Sequence, residues 1–222
     1  MNYPELQFSP AITGKLIVGV LEFSGLKCQS RNEELWVEIE NLQKKYAQLY
    51  SHPSAALPLL RPARDLYRAV GIEPTRIRPS SEALFRRVIK GKPLYQINSI
   101  VDACNYLSLS FLLPIGLYDL RKIEGKIHFR FGEDGEEYEG IGKESVHVGG
   151  RLCLADNRGA FGNPSADSLR TAIDFHSEQV LMVIFAPFKY SEAQLQQHVN
   201  LSSNVILHYH PTGKLEKKQI MR

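Results

Sequence analysis

Residues Arg61–Phe131 read RPARDLYRAVGIEPTRIRPSSEALFRRVIKGKPLYQINSIVDACNYLSLSFLLPIGLYDLRKIEGKIHFRF, and the order of helix and strand signals in this stretch decides the fold. A short helix over Ala63–Val70 closes at Gly71, the residue best suited to a left-handed cap. Pro74 and Pro79 keep the next segment extended, and Ser80 or Ser81 can cap a helix from Glu82 to Lys90, with Gly91 just beyond. From Ile97 to Leu113 apolar Ile100, Val101, Cys104, Leu107 and Leu109 alternate with Asn98, Asp102 and Asn105, which fall at steps of four and three. That spacing puts the three polar side chains on one side of a helix, where they are solvated or line a pocket. After Pro114 and Gly116 the period shortens towards two and the chain turns to β-structure.

Outward from this stretch the readings are simpler. Lys15–Phe23, KLIVGVLEF, is an aliphatic strand, and Arg31–Leu49 places Leu35, Ile39, Leu42, Tyr46 and Leu49 on one helical stripe. Three prolines between His52 and Pro62 predict an extended connection. Strands follow at Lys126–Phe131, Glu137–Ile141, Ser145–Val148, Arg151–Ala155 and Gln179–Ala186. A helix from Glu192 to about Leu201, a strand around Val205–Tyr209 and a basic tail end the chain. Helices mostly first and strands mostly later predict an α+β domain, residues 1–222 forming one unit.

The composition is that of an ordinary globular protein, and the 222 residues suffice for a full core. The N-terminus does not read as a secretory signal, and the longest apolar run, Val180–Ala186, is too short to span a bilayer. Three widely spaced cysteines give neither a disulfide framework nor a zinc spacing, so a cytoplasmic location and no contact with membrane are expected. The net charge of +3 is unevenly spread: Arg61–Lys92 holds nine Lys or Arg against three acids. Such a block is a candidate phosphate-facing surface or a solubilising face. Arg76, Arg78, Arg86, Arg87 and Lys90 are its candidate nucleic-acid contacts, with Tyr67, Phe85 and Tyr95 as stacking surfaces nearby.

Known catalytic signatures are absent. Gly140-Ile141-Gly142 and Gly149-Gly150 open no phosphate loop, and Ser80-Ser81 lacks a nucleophile elbow. His208 and His210 would share a face of a strand and could hold a metal, or simply face solvent. With no further ligand at a recognised spacing, neither metal nor cofactor is expected.

Taken together, YRAVGIEPTRIRPSSEALFRRVIKGK from Tyr67, INSIVDACNYLSLSFLLPIGLYDL from Ile97, IEGKIHFRFGEDGEEY and LCLADNRGAF resemble, in order, the tRNA-binding B3/B4 domain, the editing module of the phenylalanyl-tRNA synthetase beta subunit. The resemblance runs over residues 61–189, with 1–60 contributing an N-terminal strand and helix and 190–222 a helix, strand and tail. It implies a mixed β-sandwich with helices packed on one side, and a pocket for the aminoacyl end of tRNA or aminoacyl-tRNA. Asn105 matches the motif's central Asn, and with Asn98, Asp102 and Gly116 makes up the implied substrate pocket. In the editing module a histidine and a late-strand glutamate help discharge tyrosine; here Gly116 and Val183 take those places. The resemblance therefore implies a tRNA-binding protein that is either a deacylase of mischarged tRNA or a non-catalytic module for tRNA, free amino acid or nucleotide. A complete tRNA ligase is not expected.

Overall fold

The computed structural model describes residues 4–222, with the backbone alone at Lys143 and Glu144. In chain order the elements are β1 (Leu6–Phe8), β2 (Leu16–Ser24), α1 (Glu33–Leu49), α2 (Leu57–Ala69), α3 (Ser80–Val88), α4 (Ser99–Phe111), β3 (Ile115–Asp119), β4 (Ile127–Phe131), β5 (Glu137–Gly140), β6 (Lys143–His147), β7 (Leu152–Asp156), β8 (Gly159–Asn163), β9 (Ala166–Asp167), β10 (Val180–Pro187), α5 (Glu192–Tyr209) and β11 (Lys214–Met221). One sheet has the order β11-β2-β10-β3 and is antiparallel throughout. The other has the order β1-β4-β7-β8-β9, with only β1 and β4 parallel. β5 and β6 form a separate hairpin.

β2 explains the layering. All nine of its residues are buried, as a strand covered on both faces requires. Side chains alternate between faces. Ile17, Leu21 and Phe23 join Met182 and Ile184 in the layer shared with α1, α3, α4 and α5. Leu16, Val18 and Val20 join Leu181, Val183 and Phe185 against Ile127, Phe129, Leu152, Leu154 and Phe161 of the second sheet. The result is an α+β sandwich with helices over the outer face of the four-stranded sheet. Gly19 allows α5 its close approach, since a Cβ there would lie 2.5 Å from Val199 Cγ2. α2 is placed differently: its Leu66 and Tyr67 enter the layer between the sheets.

Several expectations change. α2 begins at Leu57 rather than Ala63, because Pro58 sits in the first turn, where a missing N–H is harmless. Pro62 is accommodated inside the helix at the loss of one backbone hydrogen bond. Neither serine caps α3: Pro79 occupies the cap position, and Ser81 Oγ instead donates to Leu112 O at 3.1 Å. Ile115–Asp119 forms a strand, so β-structure begins ahead of the first strand expected in this part of the chain, Lys126–Phe131. Val205–Tyr209 continues α5, whose buried Leu195, Val199, Ser202, Ser203 and Ile206 keep the helical period to the end. The basic tail is β11, an edge strand on β2.

Candidate functional site

The basic segment folds around one buried acid. Glu82, in the first turn of α3, has no exposed side-chain surface. Arg64 of α2 gives it two hydrogen bonds of 2.7 Å each, and Arg86, one turn further along α3, gives a third of 2.7 Å. Arg78 stands 3.9 Å away as an ion-pair partner. Burial alone would raise the Glu82 pKa, but the hydrogen bonds from Arg64 and Arg86 overcome it and hold the carboxyl below its ordinary range. One carboxylate thus fixes three guanidinium groups and leaves two positive charges uncompensated. Arg78 is the most exposed of the three, at 48%.

The other basic candidates divide in two. Arg87 Nε donates to Pro93 O at 2.5 Å and Nη1 to the Tyr95 hydroxyl at 2.8 Å, with the guanidinium 3.7 Å from the Tyr95 ring centre, so it pins the loop after α3. Arg76 and Lys90 are exposed, and among the described residues their side chains make no hydrogen bond or ion pair. On α2, Arg61, Arg64 and Arg68 lie three and four residues apart, on one helix face. The sequence carried that spacing, but starting the helix at Ala63 hid it.

The polar residues of α4 have separate placements. Asn98 caps the helix, accepting from Val101 N at 3.0 Å. Asp102 Oδ1 accepts from Ile97 N at 2.9 Å, and Oδ2 from Trp36 Nε1 at 2.9 Å. Burial raises its pKa despite those donors. Asn105 is half-buried, and its amide has no hydrogen-bond partner among the described residues. Gly116 lies on β3, beyond the end of the helix, directly opposite Val183 in the register of β3 and β10.

The space beside Gly116 is occupied. The Tyr118 phenol lies across it, so a Cβ on Gly116 or on Gly162 would fall 2.2 or 2.4 Å from the Tyr118 oxygen. Only glycine fits at either place without moving that ring. Next to it stands Asp167, a residue with no signal in the sequence. Its Oδ2 accepts from Leu117 N at 3.2 Å, while Oδ1 and the Tyr118 hydroxyl are both sealed from water without a hydrogen-bond partner. Burial pushes the Asp167 carboxyl up to about 7, against the opposing pull of Tyr118 and the Leu117 N–H. Burial, reinforced by the Asp167 charge, raises the Tyr118 phenol, and likewise the Cys104 thiol, well above their usual values. A polar chain continues outward: Asn163 Nδ2 donates to the Tyr138 hydroxyl at 2.9 Å, Asn163 Oδ1 accepts from Ser165 N at 2.7 Å, and Ser165 Oγ meets the Tyr67 hydroxyl at 2.6 Å.

The histidine pair takes another form than the sequence suggested. His208 belongs to α5, whereas His210 is its buried C-cap, with Nδ1 against Ile206 O and Nε2 against Ser99 Oγ, both at 2.9 Å. They share no strand face. Among the described residues no three His, Cys, Asp or Glu side chains gather as a metal site, and no helix is long and apolar enough to cross a membrane.

Comparison with known proteins places this arrangement in context. The phenylalanine–tRNA ligase beta subunit of Wolbachia sp. subsp. Brugia malayi is 40% identical over 62 residues, covering 28% of this chain and 8% of the relative. That of Bartonella henselae is 33% identical over 67 residues, covering 30% of this chain and again 8% of the relative. The chain therefore matches only a small part of either protein's length. An N-terminal fragment of the Pyrococcus horikoshii phenylalanyl-tRNA synthetase beta subunit aligns in structure over 100% of this chain and 55% of its own, with 14% identity and a TM-score of 0.46. The B3/4 domain family matches residues 62–209, well over half the sequence, and the chain belongs to that family.

Proposed function

We propose that this protein binds tRNA along the basic segment around α3, with Arg86 on the helix and Arg76, Arg78 and Lys90 on the loops at its two ends meeting backbone phosphates and Arg87 holding the loop after it in place. The Glu82 cluster carries this reading: a buried carboxylate that orders three arginines costs no net negative surface and leaves a fixed, cationic, multi-donor patch. Guanidinium groups held this way suit phosphate oxygens, which they meet in pairs. The relatives are tRNA ligase subunits, which supports RNA as the ligand. Asn105, with its amide uncommitted, is the residue proposed to meet the aminoacyl end, while Asn98 and Asp102 fix the start of its helix and Gly116 makes room for the Tyr118 ring behind it.

Binding without hydrolysis is the leading form, because the Tyr118 ring fills the space next to Gly116 and because Val183 offers no proton-transfer group. A second form, hydrolysis of the aminoacyl ester, has one observation in its favour. A carboxyl with a pKa near 7 can take a proton from water at neutral pH. In that reaction Asp167 would take a proton from the water that attacks the ester carbonyl and return it to the departing ribose oxygen as the ester C–O bond breaks, releasing the amino acid and the tRNA 3′-hydroxyl.

Both forms are tested by following binding and deacylation together over a panel of correctly and wrongly charged tRNAs. The expected result is saturable tRNA binding with no ester loss above buffer, weakened in Asn105→Ala for charged tRNA. Hydrolysis that vanishes in Asp167→Asn while binding remains would establish the deacylase. Retention of tRNA no better than by an unrelated protein of equal net charge would overturn the proposal.

A further inference from the structure

Beyond the residues assigned so far, two adjoining clefts lie on either side of Arg61. The larger, about 560 Å³, runs between α2 and the end of β10 and is lined by Lys15, Arg61, Pro62, Phe188, Lys189 and Tyr190. The other, about 480 Å³, is formed on α2 by Arg61, Arg64 and Arg68 with Leu57 and Pro58. Arg61 and Pro58 line both, so the two adjoin across the Arg61 side chain, and Arg64 links the second to the Glu82 cluster.

The larger cleft has a prepared aromatic floor. Phe188 is a large apolar side chain left 37% exposed. Its backbone is held by Lys15 O, which accepts from Phe188 N at 3.2 Å, and by Arg222, which donates to Phe188 O at 3.2 Å with its guanidinium 4.9 Å from the ring. Tyr190 is fixed through its hydroxyl, 2.9 Å from His198 Nε2, and His198 in turn stacks on Phe111. The cationic rim consists of Lys15, Arg61, Lys189 and Arg222 against Asp65 and Glu192, and Asp65 is shared between Arg61 and Arg68. An apolar peptide would gain little from such a rim, whereas a nucleic-acid strand presents both a base face and a phosphate at each step. Bases inside a duplex cannot reach a ring on a protein surface.

We infer that the two clefts form one track for a single-stranded segment of RNA, with phosphates on Arg61 and Arg68 and a base stacked against Phe188. This rests on the tRNA-binding reading and assigns where an unpaired part of that RNA runs. Positively charged grooves with aromatic platforms are the general solution for holding single strands.

The test uses the full chain with three labelled probes: a ten-nucleotide single-stranded RNA, a ten-base-pair RNA duplex and deacylated tRNA. The wild type is expected to prefer the single strand over the duplex. Phe188→Leu, which keeps the apolar volume but removes the ring face, should weaken single-strand binding about tenfold, and Phe188→Tyr should restore it. Arg61→Ala and Arg68→Ala should each lower the slope of log affinity against log salt by about 0.7. Circular dichroism and melting would confirm that each variant is folded. If Phe188→Leu and Arg61→Ala bind the single strand as the wild type does, while Arg76→Ala and Lys90→Ala weaken tRNA binding, the track is overturned and the tRNA reading stands. If the wild type binds none of the three probes, both fall.

Discussion

Glu82 and Asp167 are two carboxyl groups withdrawn from water in opposite surroundings. Glu82 is met by Arg64, Arg86 and Arg78, and its pKa is lowered despite burial. Asp167 has the Tyr118 hydroxyl beside it, one backbone N–H donor and no cation, and burial lifts it to about 7. Burial thus sets the size of the problem while the partners set its sign. A charge that must remain charged organises a surface, as Glu82 does for the arginines. A carboxyl that is neutral across part of the physiological range organises nothing electrostatically and is free for proton transfer or for none.

The largest effect expected of this contrast comes from Arg64. Arg64→Met would leave Glu82 with Arg86 as its only hydrogen-bonded partner, and breaking a buried ion pair from one side costs about 3 kcal/mol. Urea midpoints should fall accordingly, and a loss below about 1 kcal/mol would show that Glu82 is better solvated than its geometry indicates. For Asp167 the sign is reversed. Unfolded, its carboxyl loses its proton near pH 4; folded, it keeps it to about pH 7. Between those values the folded state holds a proton that the unfolded state has released, so rising pH removes stability, on the order of 1–3 kcal/mol in all. Asp167→Asn should abolish that decline, and wild-type and variant melting curves at pH 5 and pH 7.5 provide the comparison. If their difference is the same at both pH values, Asp167 titrates normally.

Smaller effects sharpen the picture. Tyr118→Phe removes a buried hydroxyl without a partner, and is expected to change stability by less than about 1 kcal/mol, towards stabilisation. A clear loss would reveal a hydrogen bond to Asp167. Smallest for the fold is the pair Arg76→Ala with Lys90→Ala: both are exposed and unpaired among the described residues, so stability should stay within about 0.5 kcal/mol while tRNA affinity falls.

The sequence displayed what depends on periodicity. The stripe of α1, with Leu35, Ile39 and Tyr46 buried, and the continuous apolar run of β10 were readable because each buries a regular set of positions. β3 was hidden because Pro114 and Gly116 signal a turn, and its pairing with β10 is visible only in three dimensions. The last two turns of α5 carry β-branched and aromatic residues that mimic a strand, and packing on the sheet overrides them. In the candidate site, the basic block was evident from counting charges, but its organiser was not: Glu82 takes its two-bonded partner, Arg64, from α2, 18 residues earlier. Asp167 had no signal at all. It sits in a two-residue strand, and its unusual environment comes from Leu117, Tyr118 and Cys104, all at least 49 residues away.

The central claim is that the basic segment from Arg76 to Lys90 holds RNA by its phosphates, and the most direct test is the salt dependence of tRNA affinity for the wild type and the Arg76→Ala/Lys90→Ala double variant, both checked for unchanged melting. The expected result is a steep linear fall of log affinity with log salt in the wild type and a slope shallower by about 1 to 2 in the variant. Identical slopes in the two proteins, or a wild-type affinity indifferent to salt, would contradict the account.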